Sequence, residues 1–77
     1  MNGYLDYIVT DHQVMLGKPI LKGTRLTVEL VLRKLSQGAS HTDLLNMYPQ
    51  LSEAQLLAVL EYAADMLANE DVILQVA

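Results

Sequence analysis

Three predicted helix N-termini occur between Thr27 and Glu53, and each is followed by apolar residues at helical spacing. Thr27 precedes apolar residues that recur every three or four positions, as on one face of a helix. These residues are Val28, Val31, Leu32 and Leu35. Thr27 can cap the helix, and Gly38 suits the left-handed position that ends many helices. The sequence therefore predicts a first helix over residues 28–37.

The second helix is predicted to start at Ser40, which is followed three residues later by Asp43 in the pattern of a capping box. Leu44, Leu45 and Tyr48 would share one face. Pro49 disfavours helical geometry at Tyr48, so the helix is expected to end there after about two turns.

The third helix is the longest, and we expect it to cover residues 53–68. Ser52 and Gln55 have the spacing of a second capping box. Alanines in this segment raise its helix propensity and permit close packing. The apolar stripe expected to face the core consists of Leu56, Leu60, Ala63 and Leu67, with Leu57 and Ala64 beside it.

The segment Tyr4–Leu16 reads as short strands. Residues 7–10 and 14–16 are the two apolar, β-forming runs, and Asp11-His12-Gln13 would connect them tightly. Pro19 cannot donate to a strand ladder, so Ile20-Leu21 is expected to be at most an edge strand. After the third helix, Val72–Leu74 and Val76 predict a strand or an extended docking segment.

A single mainly α domain is expected for 77 residues. It divides into a β-hairpin and turn region (1–26), a three-helix core (27–68) and an acidic, apolar tail (69–77). Such a small domain is marginal alone, and this one is 52% hydrophobic and has no cysteine to stabilise it. We therefore expect a homodimer, formed through the N-terminal strand edge or the third helix; an ordinary compact monomer is the alternative.

The charges are divided between the two halves of the chain. Residues 1–38 hold all five bases against three acids, a net 5 − 3 = +2, whereas residues 39–77 hold six acids and no Lys or Arg, a net −6. The acidic half predicts an interaction surface, or simply a solvated face. The bases could contact nucleic-acid phosphates, or could be solvated charges. They are Lys18, Lys22, Arg25, Arg33 and Lys34.

Catalysis, a metal and a cofactor are not expected. His12 and His41 lie in different elements, and the sequence has no cluster with metal-ligand spacing. Gly23-Thr24 lacks the lysine of a phosphate-binding P-loop. There is also no signal peptide and no apolar run that could span a membrane, so a cytoplasmic protein is the expectation.

The second and third helices with the turn between them have a helix-turn-helix outline, whose second helix would enter the major groove of DNA. That helix carries Glu53, Glu61 and Asp65 and no Lys or Arg. Carboxylates oppose the charge neutralisation that drives DNA binding, so the motif is not expected to bind DNA in the usual way.

The segments "GKPILKGTRLTVELVLRKLSQGAS" and "LLNMYPQLSEAQLLAVLEYA" resemble the domain of unknown function family 433. The resemblance runs from about Ile8 to Ala64. It rests on a Gly-x-Pro-x-x-x-Gly-Thr-Arg element and a Tyr-Pro-x-Leu-Ser turn. The shared positions, which we interpret as structural turns, are Gly17, Pro19, Gly23, Thr24, Arg25, Tyr48 and Pro49, and Lys18 is shared as well.

The resemblance implies a homeodomain-like three-helix bundle and an antitoxin of a type II toxin–antitoxin pair. Such an antitoxin would bind and inhibit a small PIN-like toxin ribonuclease. The tail residues Glu70, Asp71, Val72, Ile73 and Leu74 are then the candidate toxin contact, since they could cover a basic surface. The alternative is a DNA-binding autoregulator that uses the basic Lys18–Lys34 region. Arg25 could bind a nearby carboxylate or a helix C-terminus within the fold, or reach a phosphate.

Overall fold

A computed structural model describes residues 3–10 and 17–68. A 3₁₀ helix, Gly3–Asp6, leads into strand β1, Ile8–Val9. Strand β2 is Ile20–Leu21. Three helices follow: α1 is Val28–Ser36, α2 is His41–Met47 and α3 is Glu53–Ala68. The fold is therefore mainly helical with a short antiparallel hairpin near the N-terminus, as predicted.

The two strands pair Ile8 with Leu21 and Val9 with Ile20. The expected strand at Ile8–Val9 is confirmed, but its partner in the described chain is β2, which is distant in sequence. The expected second strand at residues 14–16 lies outside the described residues, as does the tail strand. β2 is an edge strand of this two-stranded sheet, as predicted, and an isolated bridge from Ile20 to Thr27 flanks it on its other side.

The start of the chain differs from the strand predicted from Tyr4 onward, because Gly3–Asp6 forms a 3₁₀ helix. Tyr4 packs edge to face on Tyr62 of α3, with the ring centroids 5.3 Å apart. The 3₁₀ turn places the Tyr4 ring against α3. An extended strand at the same residues would instead need a partner strand.

The predicted helix caps are present. The Thr27 side chain accepts from the Leu30 backbone N–H at 3.0 Å, and Gly38 has a φ of +100° just after α1. Ser40 and Asp43 form a complete capping box on α2. The Ser52 N–H donates to the Gln55 side chain at 2.8 Å and completes the equivalent box on α3. Since each cap is a contact between near neighbours, it could be predicted from sequence.

The core lies where the hairpin, α1, α2 and α3 converge. Its fully buried side chains are Leu21, Val31, Leu44, Leu56 and Val59. On α3 the buried residues are Leu56, Ala58 and Val59, whereas Leu60 and Leu67 of the predicted stripe are 39% and 59% exposed. That part of the prediction is wrong, because α3 is apolar on more than one side and its sequence period does not identify the inward face.

Candidate functional site

The Gly23-Thr24-Arg25 segment forms a tight turn between β2 and α1. Gly23 has a φ of +82°, a left-handed conformation that side chains with a Cβ resist. The Thr24 hydroxyl donates to the Leu21 carbonyl at 2.8 Å and accepts from the Leu26 N–H at 3.0 Å. Gly23 and Thr24 therefore hold the turn, while Arg25 is exposed and has no salt bridge within the described residues.

Two further members of the predicted turn set also have backbone roles. The Pro19 carbonyl accepts from the Val28 N–H at 3.0 Å, which ties the approach to β2 to the first turn of α1. The Tyr48 carbonyl accepts from the Leu51 N–H at 2.9 Å and closes the turn between α2 and α3. Gly17 is two residues before Pro19, and Pro49 is exposed within the α2–α3 turn.

The five bases do not form one patch. Lys18 and Arg33 both contact the Glu29 carboxylate, at 3.3 and 3.2 Å. Lys22 and Arg25 are exposed on the turn after β2. Lys34 lies elsewhere, along a shallow depression that also touches Met47 of α2. Lys22, Arg25 and Lys34 have no salt bridge to another described residue, and only the first two of these lie together.

Glu29 connects the approach to β2 with α1. The hydrogen bonds from Arg33 and then from Lys18 hold the pKa of the Glu29 carboxyl below its usual range. All three side chains are more than half exposed, so solvent screens the pairs and each contributes little to stability. Their main effect is that one carboxylate engages two of the five cations, which leaves the three side chains with a net charge of +1.

Three carboxylates of the acidic half have partners inside the protein. The Ser40 N–H donates to Asp43 at 2.9 Å, and this backbone bond lowers the pKa of Asp43. The Glu53 carboxylate lies 2.9 Å from His41 Nδ1. Asp65 lies near the Tyr4 hydroxyl; desolvation first, and then the charge of Asp65, raise the pKa of Tyr4.

Glu61 differs from these carboxylates, since it is exposed and has no salt bridge or side-chain hydrogen bond within residues 3–10 and 17–68. It lies midway along α3, next to exposed apolar side chains. Leu57 is 54% exposed, Leu60 39% and Leu67 59%. Ala64 is exposed between them. We call Leu57, Leu60, Ala64 and Leu67 the outer face of α3.

An apolar groove lies between α1 and α3, beside the outer face. It has a volume of about 650 Å³, and its mostly apolar lining comprises Pro19, Val28, Leu32, Tyr62, Ala63 and Met66. Leu67 borders the groove and also belongs to the outer face, so the two apolar surfaces are continuous. Glu29 and Arg33 form the groove's polar rim.

The outer face was not predicted from the sequence, because its leucines were expected in the core stripe or at its margin. The available signal was the apolar composition of α3 on more than one side, which is typical of a helix with two contact surfaces. The predicted toxin contact, Glu70–Leu74, lies outside the described residues, as does Asp11-His12.

Within the described residues, no group of three or more His, Asp or Glu side chains could hold a metal ion. The same residues include no helix that is long and apolar enough to cross a membrane.

Comparison with known proteins gives a family and a fold. The model of a family described as "Protein of unknown function (DUF433)" matches residues 8–63. A crystal structure of a DUF433 member protein from Anabaena variabilis is similar, with a TM-score of 0.77 and 26% identity, over 90% of this chain and 72% of that chain. No curated protein matches the sequence.

Proposed function

Because the chain belongs to the DUF433 family of proteins of unknown function, we propose the role that its sequence resemblance implies, an antitoxin that binds and inhibits a small PIN-like ribonuclease. The observation that supports a protein partner most directly is the outer face of α3. Three leucines that are 39–59% exposed lie there beside the exposed carboxylate of Glu61. Apolar area supplies most of the affinity of protein complexes, and charge guides their association.

The charge of α3 favours a protein partner over DNA. If the turn between α2 and α3 acted as a DNA-binding helix-turn-helix, α3 would be the helix inserted into the major groove. It carries Glu53, Glu61 and Asp65 and no Lys or Arg. A ribonuclease that binds anionic RNA over a basic surface has the opposite requirement, because an acidic protein can occupy that surface in place of the RNA.

The test is inhibition of the ribonuclease encoded beside this gene. We expect the purified chain to form a complex with that protein and to suppress its RNA cleavage at about equimolar ratio. Deleting residues 70–77 tests the predicted tail contact separately. Unchanged affinity after the deletion removes the tail from the contact, whereas absence of both complex and inhibition with the full chain contradicts the antitoxin role.

A second candidate, DNA binding, is supported by Lys22 and Arg25, which are exposed together on one turn. If that turn contacts phosphates, Lys22→Ala and Arg25→Ala should each weaken binding to upstream DNA and reduce its dependence on salt. Arg33→Ala is the matched control, since Arg33 is already paired with Glu29. Binding that is absent, or that does not change with salt, excludes this candidate.

We also propose a homodimer, now placed at the outer edge of β1, because β2 is flanked on both sides. Light scattering at micromolar concentration should then give the mass of two chains. A Thr10→Pro variant, which removes an N–H on the side of β1 away from β2, should return the mass of one. A single-chain mass for the unmodified protein contradicts the dimer.

A further inference from the structure

The outer face of α3 has the spacing of a coiled-coil seam. Leu57, Leu60, Ala64 and Leu67 follow one another at intervals of three, four and three residues. This is the alternation of the a and d positions in heptad repeats, which places all four side chains along one line. The line rises about 15 Å along the helix, or nearly three turns. A surface of this shape fits another helix lying along α3.

The seam is on the side of α3 that points away from the core. Leu56 and Val59 are fully buried, and Tyr62 is half-buried against Tyr4. Leu57 projects from the opposite side and is 54% exposed, while Leu60, four residues after Leu56, lies at the margin between the two sides and is 39% exposed. The apolar seam is therefore additional to the face that the protein uses to fold.

The charge beside the seam selects the kind of helix that fits it. Glu61 occupies the position next to Leu60 that corresponds to e in the heptad, where coiled coils form their interhelical ion pairs. Residues 39–68 include no Lys or Arg at all. A helix with Lys or Arg beside its apolar stripe would complement this charge.

From the spacing and the charge we infer that the outer face of α3 binds an amphipathic helix whose apolar stripe is flanked by Lys or Arg. The inference rests on the proposed function to the extent that this helix belongs to the ribonuclease. Ala64 leaves room for a large partner side chain between Leu60 and Leu67. At Leu67 the seam meets the groove lined by Met66 and Tyr62, which can receive a further apolar side chain.

A second copy of the same chain fits this face less well. Two α3 helices packed antiparallel through their outer faces would bring Glu61 of both copies to the same side of the seam, and a parallel pair would set each Glu61 beside an apolar g position with no cation to pair with it. Neither helix has a Lys or Arg to compensate for that repulsion. A homodimer through the β1 edge would leave the outer face free.

The probe is a pair of labelled synthetic peptides of about 21 residues, three heptads long, with Leu at positions a and d. One carries Lys at e and g, and the other carries Glu there. Fluorescence anisotropy with the full chain should give at least about tenfold tighter binding of the Lys peptide, with the difference reduced in high salt. Equal affinities, or preference for the Glu peptide, would overturn the inference.

Three variants locate the site. Leu57→Ser with Leu60→Ser should weaken binding of the Lys peptide by about tenfold or more, because both apolar anchors are lost. Glu61→Lys should reverse the preference between the peptides. Met47→Ser is the matched control, since Met47 is 47% exposed but lies on α2. Circular dichroism confirms that each variant is folded. Unchanged binding by the leucine double variant, or equal loss with Met47→Ser, contradicts the assignment.

Two further results separate this inference from the proposed function. If the unmodified chain inhibits the ribonuclease and the leucine double variant inhibits it equally well, the function stands and the outer face is not the contact. If the chain binds the Lys peptide but does not inhibit the ribonuclease, the inference about the outer face is supported and the proposed antitoxin function is contradicted. If the protein forms a homodimer that dissociates on the same leucine substitutions, the outer face is the contact with a second copy, and the inference is overturned.

Discussion

Tyr4 and Tyr62 meet edge to face, with their ring planes at 89° and their centroids 5.3 Å apart. The contact joins the N-terminal 3₁₀ helix to α3. It also fixes the rotation of α3 about its own axis, because the side that carries Tyr62 must face inward. Leu57 and Leu60 then face outward, so this aromatic pair helps to set which apolar side chains are available to a partner.

The aromatic pair should be visible in a double-mutant cycle. Tyr62→Leu is expected to cost about 1 kcal/mol in the free energy of unfolding, since an edge-to-face pair contributes beyond its buried area. Once Tyr62 is replaced, Tyr4→Leu should add much less than it costs in the unmodified protein. The measurement is urea unfolding of the two single variants and the double variant. Tyr48→Leu, at the other end of the core, should instead be additive with Tyr62→Leu.

Neighbouring leucines on α3 should respond very differently to truncation. Leu56 is fully buried, so Leu56→Ala should lower the free energy of unfolding by about 2–5 kcal/mol. Leu57 is 54% exposed, so Leu57→Ala should change it by no more than about 0.5 kcal/mol. Urea denaturation of both variants measures the contrast. Similar costs at the two positions would mean that α3 has a different rotation in the folded protein.

Gly23 gives a test of the turn between β2 and α1. A Cβ built at Gly23 would have no heavy atom within 4 Å, so the cost of Gly23→Ala comes from its φ of +82° and not from a clash. That cost is about 1–2 kcal/mol. Gly23→Asn is the matched control, because Asn tolerates the left-handed conformation better, and it should cost less. Thermal unfolding of both variants measures the two costs, and equal losses of stability would contradict the backbone explanation.

The capping box of α2 should make part of the stability depend on pH. The pKa of Asp43 is lower in the folded protein than in the unfolded chain, because the Ser40 N–H donates to its carboxylate. Its contribution is therefore complete above the unfolded pKa and is lost as the pH falls through the folded pKa. Asp43→Asn removes this titration. The unmodified protein should be more stable than the variant near neutral pH.

The difference in free energy of unfolding between the unmodified protein and Asp43→Asn should shrink towards about pH 3, where the carboxyl group of the unfolded chain is protonated. Comparing the two proteins at each pH cancels the parallel loss from Glu29, whose pKa is also lowered. A difference that stays constant from neutral to acidic pH would show that Asp43 does not stabilise α2 through its charge.

The local features of the fold could be predicted from sequence, and the long-range ones could not. Thr27, Ser40 and Ser52 mark the helix starts, since a cap contacts residues two or three positions away. The partner of β1 is β2, which lies far along the chain, and no local pattern identifies it. The inward face of α3 depends on Tyr4, near the other end of the sequence. For the same reason, leucines that are exposed in the structure were predicted to face the core.

The bases illustrate the same limit. Their proximity in sequence, from Lys18 to Lys34, suggested a single basic region. The fold separates them, because Glu29 holds Lys18 and Arg33 while Lys22 and Arg25 remain on the turn. Spacing in sequence therefore overstated the number of cations that one ligand could contact.

The last turn of α3 has no basic residue, and Asp65 lies at its start. The carboxyl end of a helix carries partial negative charge, so this end lacks the cation that would stabilise it. A lysine or arginine supplied by a bound helix would provide the missing counter-charge. Binding would then raise the melting temperature of the protein in proportion to the logarithm of partner concentration above the dissociation constant. The abundance of the partner would thus influence how long each molecule of this protein stays folded and resists proteolysis.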